Sequence, residues 1–156
     1  MRASGYGPRA LASARAATQS PPLPTHLFHF HPDLGYANIS TTFASKPFLI
    51  VGQPCNQFGS QEPGDNDEIV NCVQYVRPGH GYVLPAQLLL LQKADVNGVF
   101  ASALFKTLKE QCGGADVGWN FEAFLVDKTG LPIKRYTTGA GGGPLSFVDD
   151  IAKALA

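Results

Sequence analysis

Residues 48–64 read Phe48-Leu49-Ile50-Val51-Gly52-Gln53-Pro54-Cys55-Asn56-Gln57-Phe58-Gly59-Ser60-Gln61-Glu62-Pro63-Gly64. The apolar run Phe48 to Val51 is bounded by Pro47 and Gly52. It predicts a strand buried on both faces, as in a sheet covered by helices. The chain then enters a loop, Gln53 to Gly64, dense in amides, with one thiol and two glycines. Amide side chains donate and accept hydrogen bonds without carrying charge. At the C-terminal end of a parallel strand they stand where open α/β sheets bind ligands. There they can hold an anion or a developing charge. The same composition also suits an ordinary loop stapled by amide–backbone bonds, and on the residues alone both readings stand.

Working outward, Asn66 can cap a helix that carries Asp67 and Glu68 on its first turn. Pro78 and Gly79 stop that helix near Val76. Val83 to Gln92 contains a further strand, with Pro85 near its start. Ala101, Leu104, Phe105 and Leu108 recur at helical spacing and predict a helix over about Val99 to Gln111, stopped by Gly113-Gly114. Phe121 to Val126, Asp127-Lys128-Thr129-Gly130 and Leu131 to Tyr136 form a hairpin pattern. Gly139 to Gly143 is a link without the Lys-Ser/Thr of a phosphate loop. A last helix starts near Ser146 and carries Val148, Ile151, Ala152 and Leu155 on one face. Strand, helix, strand, helix, hairpin, helix is the order of an α/β sandwich.

Composition narrows the function. A chain of 156 residues fits one domain. Twelve basic and twelve acidic residues cancel, which excludes a broad electrostatic hold on nucleic acid or anionic membrane. No apolar run approaches the roughly 18–20 residues of a membrane span. Three cysteines are too few for a disulfide scaffold and suit a reducing compartment. Residues 1–45 read as an unassigned leader and 46–156 as the domain. The leader has Arg2, Arg9 and Arg15, no acidic residue before Asp33, and Pro21, Pro22 and Pro24. That is the composition of a mitochondrial transit peptide, with a disordered leader as the alternative. His26, His29 and His31 lack the cysteines or carboxylates that would complete a metal site. Asn38-Ile39-Ser40 is a glycosylation sequon without a secretory signal before it.

A second cluster is Trp119-Asn120-Phe121-Glu122-Ala123-Phe124-Leu125-Val126. Trp119, the only tryptophan, offers an indole N–H, and Asn120 an amide. A core tryptophan anchoring the hairpin fits the same pattern. Taken together, GQPCNQFGSQEPG (52–64), YVRPGHGY (75–82), DVNG (95–98) and WNFEAFLVDKTGLPIKRY (119–136) resemble the glutathione peroxidase family, in order, over about residues 47–138. YVRPG resembles the glutathione-using animal branch, which is tetrameric, so a homo-oligomer is a possible state. The resemblance implies a thioredoxin-like three-layer α/β sandwich. It implies reduction of hydrogen peroxide and organic hydroperoxides, with glutathione or thioredoxin as reductant and no metal or organic cofactor. It carries Gln61, Trp119 and Asn120 into the catalytic set, as donors around a peroxidatic selenocysteine or cysteine. Neutral donors suit that nucleophile, which reacts as the anion. Arg77, Lys134 and Arg135 could hold the carboxylates of glutathione; a solvated surface is the other reading.

The chain departs from the family in four places, one of them the connection from Cys112 to Trp119, which is longer in the glutathione-using branch. The peroxidatic residue, expected in an Asn-Val-Ala-Ser-like strand end upstream of Gln61, is absent, and no cysteine precedes Cys55. The first strand and helix of the thioredoxin core are not recognisable. Gln53 stands where the family has phenylalanine. Cys55 and Cys72 are expected in the core and Cys112 at an exposed helix end. The expectation is therefore a peroxidase of the oxidative stress response whose nucleophile this chain lacks. The alternative is a truncated or inactive member that acts as a non-enzymatic binding protein. A cytoplasmic location is expected, with mitochondrial as the alternative.

Overall fold

The computed structural model describes residues 35–137 and 147–156. The readings that fall on residues 1–34, on Gly139–Gly143 and on Ser146 lie outside them. Helix α1 (Tyr36–Thr42) is followed by β1 (Ile50–Gly52), α2 (Asn66–Tyr75), β2 (Leu88–Leu90), α3 (Ala103–Gln111), the hairpin β3 (Ala123–Val126) and β4 (Pro132–Tyr136), and α4 (Val148–Ala154).

Helix α1 falls within the stretch that the sequence reading left as a leader. Ile39 and Phe43, four residues apart, are buried against Phe147 and Ile151, so residues 36–43 belong to the packed unit. Its start is poorly marked in the sequence, because Gly35 stands at the N-cap and no side chain caps the helix.

Strands β1 and β2 pair in parallel, Ile50 with Leu88, Val51 with Leu89 and Gly52 with Leu90. Phe48 and Ile50 pack into the core. Leu49 and Val51 keep 56% and 46% of their surface exposed, and Leu89 is exposed beside them. The strand is thus buried on one face, not on both. The sheet has only two strands, too narrow to be sandwiched as a wide parallel sheet is.

Helix α2 is capped by Asp65 rather than Asn66. The Asp65 carboxylate accepts from the Glu68 N–H at 2.9 Å, and the Glu68 carboxylate accepts from the Asp65 N–H at 2.8 Å. The pair closes a capping box. Asn66 instead accepts from the Lys93 N–H at 2.7 Å, tying the exit of β2 to the start of α2. Ile69, Cys72 and Val73 turn inward. Strand β2 is shorter than the pattern over Val83–Gln92 predicts. Helix α3 starts at Ala103, where the Ser102 hydroxyl accepts from the Phe105 N–H. Val99 and Phe100 lie before it and are exposed.

The hairpin forms where it was expected, with an irregularity between Leu125 and Val126. Its turn is held by the Asp127 carboxylate, which accepts from the Thr129 N–H and hydroxyl and from the Leu131 N–H. These bonds keep that carboxyl below its ordinary range.

Two apolar clusters hold the parts together. Ile39, Phe43, Phe147 and Ile151 form one, and both ribbons pack on it: Phe48 and Ile50 from the first, Ala123, Leu125 and Tyr136 from the second. Cys55, Phe58, Val96 and Val117 form the other, with Phe105 against it. Among the described residues no helix is long and apolar enough to cross a membrane.

Candidate functional site

The second cluster is the floor of the site. Phe58 is buried in it, and the chain then reverses through Gly59 and Ser60, at φ 63° and 53°. The reversal turns Gln61 back toward the Phe58 side. The Asn56 side chain accepts from the Glu62 N–H at 2.9 Å and fixes the loop. From the far side of the fold come Trp119 and Asn120, followed by Phe121 at φ 61°. Non-glycine residues at positive φ carry strain and concentrate at functional sites.

The Asn120 amide nitrogen donates to Gln61 Oε1 at 2.9 Å, across 59 residues of sequence. The Trp119 ring leans on Phe58, with centroids 6.0 Å apart. A side-chain carbon placed on Gly59 would lie 3.5 Å from Trp119 Cη2 and 3.6 Å from Gln61 Cγ. Gln61, Trp119 and Asn120 are therefore one group. Trp119 is 45% exposed, so it is not a core tryptophan. Among the described residues, the Gln61 Nε2 and the Trp119 indole N–H have no hydrogen-bond partner. Both are neutral donors left for a ligand.

Directly behind Gln61 lies Glu62, 1% exposed, with neither carboxylate oxygen hydrogen-bonded. Burial pushes its pKa up to about 7, against the pull of the Lys93 ammonium. Lys93 Nζ donates to the carbonyls of Glu62 at 3.2 Å, of Pro63 at 3.1 Å and of Gly64. It clamps the loop just past Gln61. The sequence reading assigned no role to either residue. The Gln-Glu-Pro-Gly string was noticed, but nothing in it tells a buried acid from an exposed one.

The loop before Trp119 is held by Arg135. Its Nε and one terminal nitrogen donate to Glu122 Oε2 at 2.9 and 2.8 Å. Its terminal nitrogens also donate to the carbonyls of Ala115 and Asp116, each at 2.7 Å. Glu122 Oε1 in turn accepts from the Gly118 N–H at 2.7 Å. Lys134 pairs with Asp150 at 2.5 Å and lies over the Tyr136 ring. That pairing, with the Tyr136 hydroxyl bond, keeps Asp150 below the ordinary carboxylate range. Arg77 follows α2, its N–H on the Cys72 carbonyl at 2.7 Å. Of the sequence-nominated residues, the fold gathers Gln61, Trp119 and Asn120. It gives Lys134 and Arg135 internal partners.

All three cysteines are unpaired. Cys55 is buried, its sulfur accepting from the Gln57 N–H at 3.4 Å. Cys72 is buried, and burial raises its pKa, the opposite of what a thiolate nucleophile needs. Cys112 is half-buried rather than exposed. No cluster of three or more His, Cys, Asp or Glu that could hold a metal occurs among the described residues.

The sequence profile of glutathione peroxidases matches residues 34–109. Gln61 lies within that match, and Trp119 and Asn120 lie beyond it. The epididymal secretory glutathione peroxidase of Sus scrofa is 42% identical, over 58% of this chain and 50% of its own. The cuticular glutathione peroxidase of Wuchereria bancrofti is 43% identical, over 56% and 47%. Glutathione peroxidase 1 of Bos taurus is 39% identical, over 57% and 53%. The chain spans about half the length of these curated relatives. Among solved structures, Trgpx in apo form superposes with a TM-score of 0.52 at 27% identity, over 79% of this chain and 71% of that one. T. cruzi GPX1 gives 0.50 at 25% identity, over 77% and 65%.

Proposed function

This chain belongs to the glutathione peroxidase family and has its thioredoxin-like fold, and from that premise we propose that Gln61, Trp119 and Asn120 are the hydrogen-bonding half of a peroxide-reducing centre. The substrates are hydrogen peroxide and organic hydroperoxides, and glutathione is the reductant. The observation that carries this reading is the 2.9 Å Asn120–Gln61 bond, which joins two loops and leaves the donors of Gln61 and Trp119 open beside it.

The chemistry needs a chalcogen anion that attacks one peroxide oxygen. The O–O bond breaks, and the departing oxygen takes a proton to become water or an alcohol. The chalcogen is left as a sulfenic or selenenic acid. Two glutathione thiols then reduce it, releasing water and the disulfide. Neutral N–H donors stabilise the anion before attack without supplying a competing charge. The nucleophile that this chemistry needs is the residue the family places upstream of Gln61, which this sequence lacks, and Cys55 and Cys72 are buried. No metal or organic cofactor enters these steps, and three unpaired cysteines suit a reducing location, cytoplasmic or mitochondrial.

The burial of Cys55 and Cys72 also favours a second reading, that the chain binds glutathione or a partner without turnover. One assay separates the two. Glutathione-dependent peroxide consumption is measured on this chain and, in parallel, on the product of the full transcript, sequenced from its 5′ end for an in-frame UGA (selenocysteine) or cysteine codon upstream of Gln61. The peroxidase reading expects turnover from the transcript product and background from the chain as written. It also expects a loss of roughly 10²-fold in kcat when Gln61 or Trp119 is replaced by alanine. Background activity from both proteins, with saturable glutathione binding, would establish the binding role instead.

A further inference from the structure

Two amides outside this donor group connect its halves. Gln57 Oε1 accepts from the N–H groups of Val96 and Asn97, each at 2.9 Å, and Gln57 Nε2 donates to the Asn97 carbonyl at 3.0 Å. The Gln57 amide thus reads the backbone of Asn97 in both directions. The Asn97 side chain does the same one step further on. Its Oδ1 accepts from the Val117 N–H at 2.9 Å, and its Nδ2 donates to the Val117 carbonyl at 2.8 Å. Val96 and Val117 are buried in the cluster that also contains Phe58; the Asn97–Val117 bonds are part-buried, and the Gln57–Asn97 bonds lie at the surface beside it. The second lone pair of Asn97 Oδ1 takes the ammonium of Lys109 at 3.1 Å. Lys109 is itself buried and paired with Asp116 at 2.7 Å.

The series begins four residues before Gln61 and ends two residues before Trp119. We propose that Gln57 and Asn97 are positioning residues, which fix the distance between the Gln61 loop and the Trp119–Asn120 loop and so hold the three donors in one group. The proposal rests on the peroxidase reading of that group for its purpose, but its geometry stands without it. Each amide has its side-chain oxygen and nitrogen engaged, and the bonds from Gln57 to Val96 and Asn97 and from Asn97 to Val117 all meet backbone groups. The relay therefore constrains main-chain position, not merely side-chain packing. Alanine at either position frees both loops, whereas a change elsewhere in the core does not.

Trp119 is the only tryptophan, so its emission reports this loop directly in the full chain. Asn97→Ala is expected to shift that emission to the red and to raise its quenching by acrylamide, well below the unfolding temperature. Asn97→Asp keeps the acceptor for Val117 and Lys109 but replaces the donor to the Val117 carbonyl with a charged carboxylate oxygen, and is also expected to shift the emission to the red. Ser102→Ala removes the cap of α3 without touching the relay; it is expected to lower the thermal midpoint and leave the Trp119 signal alone. If Asn97→Ala does not fold, Gln57→Ala is read in the same way, since it removes the bonds to the Val96 and Asn97 backbone. Unchanged emission and quenching in the Asn97 or Gln57 variants overturns the proposal, as does an equal change in Ser102→Ala. The readout is emission rather than turnover, so it fails or holds separately from the peroxide assay.

Discussion

The carboxyl of Glu62, buried with neither oxygen hydrogen-bonded, binds a proton in the folded chain at pH values where the unfolded chain has already released it. Its pKa rises from an ordinary 4.5 to about 7. The folded state therefore holds more protons between those values, and stability falls as pH rises through them. The contribution is full below about 4.5 and lost above about 7. A shift of that size corresponds to at most about 3 kcal/mol. Glu62→Gln is expected to flatten this dependence, measured as urea unfolding at pH 5 and pH 8. The same slope in the variant would show that the proton sits elsewhere. Because Glu62 adjoins Gln61, the titration also bears on the site: the donor group has a largely neutral neighbour well below pH 7 and a largely anionic one well above it.

At the scale of elements, what was legible followed local chemistry. The hairpin was readable because Asp127-Lys128-Thr129-Gly130 carries its own turn bonds. The course of α2 was readable from its acidic first turn and the Pro78-Gly79 stop. Asp65 was passed over as the cap in favour of Asn66, since both residues are competent caps and only the fold assigns Asn66 to the Lys93 N–H. Asp65→Ala, which opens the capping box, is expected to cost about 1 kcal/mol, seen as a lower thermal midpoint with unchanged helix content at 25 °C. A midpoint within error of the parent would mean that water replaces the cap at no loss. Helix α1 was missed because no side chain caps it. The pairing of Arg135 with Glu122 was not legible, because it follows from the hairpin register, which sets Phe124 opposite Arg135. Gln61, Trp119 and Asn120 were recoverable through a resemblance of motifs. From composition alone, a core tryptophan and an ordinary loop explained them equally well.

Across the whole molecule, the ribbons β1–β2 and β3–β4 are separate sheets that share one apolar cluster. The Ile50 N–H and the Gly52 carbonyl bond toward β2, so the N–H and carbonyl of Val51 point to the opposite edge. Among the described residues no strand pairs with that edge, Leu49 and Val51 stay exposed on the face beside it, and an open edge next to exposed apolar side chains invites pairing with another chain. Concentration-dependent association is expected in light scattering, and Val51→Lys is expected to suppress it. Equal association by the variant would place the contact on another surface.

Phe147 and Ile151 close the cluster that Ile39 and Phe43 open. During synthesis, the earliest of these residues waits for the latest. Until α4 is made, both ribbons have only the α1 half of this cluster to pack on, and contacts so distant in sequence form slowly. A nascent chain that has not yet made α4 thus exposes one side of this cluster to solvent.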